Sequence, residues 1–141
     1  MFPLSAFSYA SLLENESTLR VLGDQYTGRF ISLQNMQPVS APVPFVFRSG
    51  VVYFACPVQE KLVLPLDTDT AFRIHDSVPL HHTSALHIFV ICIGSLRPVL
   101  GAGEKADISD LFWQKFRHSA PQILENAQFF RLSCEQIIGY T

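Results

Sequence analysis

Charge is scarce in this chain: Asp, Glu, Lys and Arg make up 16% of its 141 residues, and 10 basic against 12 acidic side chains leave a formal charge of −2. Nucleic-acid binders neutralise phosphates with clustered Lys and Arg, and no such cluster occurs, which argues against a nucleic-acid partner. Cysteine is sparse too. Cys56, Cys92 and Cys134 are odd in number and far apart, which suits reduced thiols better than a disulfide framework or a zinc site, and Cys92 and Cys134 read as core residues. No uninterrupted apolar run approaches the ~20 residues that span a bilayer. Met1-Phe2-Pro3-Leu4-Ser5 lacks the basic start and apolar centre of a secretory signal. The expectation is a cytoplasmic protein with no membrane partner.

What is abundant is apolar: hydrophobic residues make up 48% of the chain, with 12 Phe among them. A chain of this length buries roughly 68–70% of its unfolded surface as one domain. No repeat or linker divides it, so a single domain over 1–141 is expected, with a helical N-terminal segment at about 6–22. Within that segment Glu14 to Leu22 carries Leu19 and Leu22 at helical spacing, Asn15 or Ser17 as a cap and Gly23 as a stop.

From Arg29 onward the pattern is that of strands. Phe30, Ile31 and Leu33 form one run, Asn35 to Pro38 a turn, and Val39 to Phe47 the next run. Arg48-Ser49-Gly50 turns the chain into Val51 to Ala55, rich in β-branched and aromatic residues. Proline cannot donate to a ladder, so Pro42 and Pro44 predict a middle strand that is partly unpaired or bulged, with backbone groups free for a ligand or an edge protected against aggregation. Gln59 to Leu66 reads as a turn or brief helix, Ala71 to Ile74 as a strand and His75 to Ser84 as a polar loop. Leu86 to Leu96 is the longest strand-like run and should sit centrally. Gly101-Ala102-Gly103 breaks the chain, Ile108 to Phe116 is helical, and Phe129 to Ser133 leads into a closing strand. The fold class is mainly β: a closed or nearly closed barrel of about six antiparallel strands with peripheral helices.

Gly28 to Ser32, Pro38 to Phe47, Gly50 to Phe54 and Lys61, followed by Gly94, Arg131-Leu132 and Ile138-Gly139, resemble in order and spacing the pyridoxamine 5′-phosphate oxidase-like family of FMN-binding split barrels. The resemblance covers the chain from Ser17 onward. It implies a homodimer that holds FMN at its two-fold interface and transfers electrons to or from a small organic substrate. The positions it assigns to the cofactor are Ser40, Pro42 and Val43 along the second strand, Cys56 after the third, and Glu60 with Lys61 in the following turn. Lys61 would supply charge and donors to the phosphate, and the backbone of Pro42 to Phe45 would meet the ring edge.

Departures from the family pattern are specific. Ser40 stands where the oxidases proper carry a phosphate-binding Arg, and Cys56 where a Thr or Ser is common. Phe89 replaces a polar residue, and the Arg-bearing substrate segment of those enzymes has no counterpart after Gly139. These argue against vitamin B6 oxidation and leave two alternatives: a non-catalytic module holding FMN, deazaflavin F420 or haem, and a cofactor-free structural dimer. Judged from the residues alone, Lys61 reads as a solvated surface lysine beside Glu60, and only the resemblance sets a phosphate role level with that reading. His81, His82 and His87 have no carboxylate or Cys at a metal-binding interval and read as loop residues. Phe112, Trp113 and Phe116 read as the core face of a helix, with Trp113 alternatively covering a flavin of a neighbouring subunit.

Overall fold

The computed structural model describes residues 15–57, 69–81 and 84–141. The chain enters through helix α1 (Asn15–Asp24), whose Thr18, Val21 and Leu22 are buried. Strands β1 (Thr27–Ile31), β2 (Val43–Arg48) and β3 (Val51–Pro57) follow, then β4 (Asp69–His81) and β5 (Ser84–Pro98). Helix α2 (Ala102–Phe116), a 3-10 turn at Arg117–Ser119, helix α3 (Ala120–Leu124) and β6 (Ala127–Tyr140) complete the order. The strands close antiparallel as β1-β2-β3-β6-β5-β4, with β4 returning to β1.

Alternation of side chains along each strand explains the closure. Phe30, Phe45, Val52, Phe54, Phe72, Ile74, Val90, Leu96 and Leu132 take the inward positions and form one buried cluster with Val21 and Leu22 of α1. Phe72 is its hub, with ring centroids 4.6 Å from Phe54, 5.1 Å from Phe30 and 5.5 Å from Phe45, all near edge-to-face. Such pairs add about 0.5–1.5 kcal/mol each beyond the area they bury. Outward residues of β2, β3 and β6 (Val46, Tyr53, Ala55, Phe129) are covered by Ile108 and Phe112 of α2. Arg131 anchors the same helix through a 2.9 Å ion pair with Glu104.

Two backbone requirements are met by glycine. Ser49 and Gly50 both take positive φ (52° and 80°), the conformation that lets a two-residue turn join twisted strands, and Arg48 pairs with Val51 across it. At Gly94 the register between β5 and β6 shifts, and a Cβ there would lie 1.8 Å from the Ser133 carbonyl oxygen. The bulge therefore depends on glycine.

Several expectations need correction. The segment read as a polar loop from His75 is strand through His81, paired with β5 from Asp69↔Ser95 to His81↔Ser84. Its polar side chains are accommodated because the far end of this hairpin is exposed, which reverses the usual equation of polarity with loop. The break at Gly101-Ala102-Gly103 is narrower than expected, since Gly101 caps α2 and Gly103 lies within its first turn. Trp113 is 50% exposed and lies off the core face that Phe112 occupies. The second strand begins only at Val43. Its ladder to β1 comprises Thr27↔Pro44 and Gly28↔Val43, so pairing is short where the prolines fall. The expected helical turns at 6–13 and the element at 59–66 lie outside the described residues.

Candidate functional site

The short β1–β2 ladder leaves a cleft of about 410 Å³ on the outside of the barrel, bordered by Arg29, Pro42, Arg73, His75 and Phe89 with Gly28 and Thr27 at its base. Barrel closure creates its charge. Arg29 and Arg73 are directly opposite each other across β1 and β4, both outside the interior cluster, and neither is ion-paired among the described residues. Like charges directly opposite in a sheet destabilise it, so the arrangement is suited to an anion lying between the two guanidinium groups. Arg73 is held in place: its Nη1 donates to the Met36 carbonyl at 3.2 Å, and its guanidinium lies 5.3 Å over the Phe89 ring.

Beside the guanidinium pair runs an aromatic row. His75 is opposite Phe89, and Phe89 opposite Tyr140. The rings stack at 4.8 Å and 5.3 Å with interplanar angles of 14° and 22°. His87 extends the row, stacked on His75 at 5.1 Å, with His75 Nε2 and His87 Nδ1 2.9 Å apart. Partial burial, then the neighbouring His87 and Arg73, lower the His75 pKa from its ordinary value. Burial raises the Tyr140 phenol, with Arg73 opposing that shift. The rings cover one another's faces, so the row presents an apolar line of ring edges beside the held Arg73 and the exposed Arg29.

The residues singled out in the sequence are distributed unevenly around this cleft. Pro42 lines it. Ser40 lies next to it, where its Oγ accepts from the Phe30 N–H at 3.0 Å and donates to the Ala41 carbonyl at 2.9 Å, tying the segment before β2 onto β1. Val43 and Cys56 are buried in the barrel interior, so their backbone rather than their side chains faces outward chemistry. Glu60 and Lys61 lie outside the described residues. Cys92 is buried as expected and Cys134 packs against the same cluster. No group of three or more potential metal ligands forms among the described residues. The sequence reading missed Arg29, Arg73 and Tyr140, and it noted Phe89 only as a departure. Their signal was the alternation itself, which sets Arg73, His75 and Phe89 on the face opposite Phe72, Ile74 and Val90.

A six-stranded antiparallel barrel of this order, carrying helices on one outer face, is a split β-barrel. The chain is similar to solved structures of that class. One is an FAD-binding protein from Mesorhizobium loti, 16% identical over 94% of this chain and 97% of that one, TM-score 0.68. Another is the FAD-binding protein of Mycobacterium smegmatis, 20% identical over 92% and 97%, TM-score 0.64. A third, from Corynebacterium glutamicum, is named as a candidate pyridoxamine 5′-phosphate oxidase and is 17% identical over 93% and 91%, TM-score 0.65. At these identities the likeness is one of fold, and it agrees with the resemblance read from the sequence. No family model and no curated protein matches the sequence. Among the described residues no helix is long and apolar enough to cross a membrane.

Proposed function

We propose that this chain is a cytoplasmic FMN-binding protein that works as a homodimer, with the flavin in the Arg29–Arg73 cleft and electron transfer to or from a small organic molecule as its reaction. The observation that carries the reading is the opposed guanidinium pair, without an ion-pair partner among the described residues, beside the His75–Phe89–Tyr140 row. The cations fit a phosphate and the row fits a tricyclic ring. When bound, FMN supplies the redox chemistry that no side chain here offers. The chain's own part is to neutralise the phosphate with Arg29 and Arg73 and to seat the ring between Pro42 and the edge of the aromatic row. Lys61, which follows β3 in the sequence, is proposed as a further phosphate donor.

Purified protein should be colourless or yellow as isolated and should develop a perturbed flavin spectrum on mixing with FMN. Lys61→Ala is expected to weaken FMN binding by about 1.5–3 kcal/mol, the scale of a charge-assisted hydrogen bond. Reduction of bound flavin by NADH or NADPH, followed by anaerobic trials of acceptors, separates an enzyme from a carrier. Absence of any spectral change with FMN overturns the reading.

A further inference from the structure

Across Thr27 from the candidate flavin site lies a second, larger cleft of about 660 Å³, between the start of β1 and β2 on one side and the end of α2 on the other. Pro44, Phe116 and Ile123 give it an apolar wall. Lys115, Arg117 and His118 give it three basic side chains, and among the described residues no carboxylate lines it. Lys115 is the unusual member. Its Nζ is buried with no hydrogen-bond partner among the described residues, 4.0 Å from the centroid of the Phe45 ring and 5.7 Å from that of Tyr26. Ring faces replace only part of the hydration an ammonium loses, so this cation lacks a directly bonded anion among those residues. Burial lowers its pKa to about 8, with Asp24 at the end of α1 acting in the opposite direction. The adjoining Arg117 takes φ 49°, a strained backbone conformation for a residue with a side chain.

We propose that this cleft binds a small apolar carboxylate, its hydrocarbon body against Pro44, Phe116 and Ile123 and its carboxylate on Lys115. Rotation of the last torsions of the flexible lysine stem turns Nζ from the Phe45 ring toward the opening, where a carboxylate replaces a ring face as its partner. Arg117 and His118 add positive potential at the rim. The charged and titratable groups around the amine are Asp24 and Tyr26 from the α1–β1 connection and Arg117 and His118 from the turn after α2. The site shares only Thr27 with the flavin cleft, so either assignment stands without the other.

Benzoate and its neutral counterpart benzyl alcohol, each titrated into the full-length chain by ligand-observed NMR, test the proposal. Benzoate should bind with Kd below about 1 mM and benzyl alcohol at least about tenfold more weakly. Lys115→Met keeps the apolar stem and removes the charge, and should weaken benzoate about tenfold or more. Because binding requires the protonated amine, benzoate affinity should hold from pH 7 to about 8 and fall toward about tenfold per pH unit above that. Saturation with FMN should leave benzoate affinity within about twofold. Equal binding of acid and alcohol, a Lys115→Met variant that binds benzoate as the parent does, a flat pH profile, or displacement of benzoate by FMN would each overturn the assignment. If Lys115→Met does not fold, Arg117→Gly, which suits the positive φ, takes its place: weaker benzoate binding in a folded variant supports the site, and unchanged binding counts against it.

Discussion

The inside and the outside of the same strands have opposite chemistry. Facing inward, Phe30, Phe45, Phe54 and Phe72 close ring on ring, and the one cation against them among the described residues is the Lys115 amine over Phe45. One residue away along β1, β4 and β5, Arg29, Arg73, His75 and Phe89 face outward and form a half-exposed, cationic and aromatic surface. The period of two that fills the core also lays out the binding face. Stability and recognition are therefore separable by substitution, even though they alternate along one stretch of chain.

The sharpest test of the frame that holds both faces is Gly94→Val. Any β-carbon at this position overlaps the Ser133 carbonyl, so we expect loss of the folded state, read as absence of a cooperative thermal transition. A variant that melts near the parent temperature would show that β5 and β6 can part without harm. Phe72→Ala follows in size. It removes the hub of the interior ring cluster and should cost about 3–5 kcal/mol in urea unfolding, while the remaining folded protein keeps its flavin affinity within a few-fold. Loss of cofactor binding in proportion to stability would break the separation of the two faces.

Arg73→Gln should do the reverse. It relieves the opposition to Arg29, so stability should stay within about 1 kcal/mol of the parent, while flavin affinity falls about tenfold or more. The smallest effect is that of pH. The folded-state pKa of His75 lies below the unfolded value of 6.5, so the unfolded chain holds a proton that the folded chain has released. Its contribution to stability is complete above pH 6.5 and is lost as pH falls through the folded value. Denaturant midpoints of parent and His75→Gln should converge or cross as pH is lowered from 7 to 5; parallel curves would show that His75 does not titrate as described.

Much of the frame was legible from local pattern. The Ser49-Gly50 turn, the β2–β3 hairpin and the long central β5 depend on neighbours in sequence, and each is where its residues pointed; the first helix is there too, but it runs through Gly23 to Asp24 instead of stopping at the glycine. The polar stretch from His75 was misread because strand pairing with an equally long β5 overrode its composition. Trp113 was misread because α2 starts six residues earlier than its apolar spacing implied and buries a narrower face. Of the cofactor positions named in advance, Pro42 lines the cleft, Ser40 is occupied by bonds to β1 and its own neighbour, and Val43 and Cys56 point into the core.

Sequence by itself determined the β2–β3 hairpin and its turn, the long β5, and which alternate positions are apolar, because these follow from side-chain period, β-branching and the positive φ that the Ser49-Gly50 turn requires. Only the tertiary structure decided that Arg29 stands opposite Arg73, that His75, Phe89 and Tyr140 form one stacked row, and that Lys115 loses its water over Phe45. Those meetings depend on cross-strand register, set by barrel closure and the bulge at Gly94, and on where α2 crosses the barrel end. No local pattern encodes either.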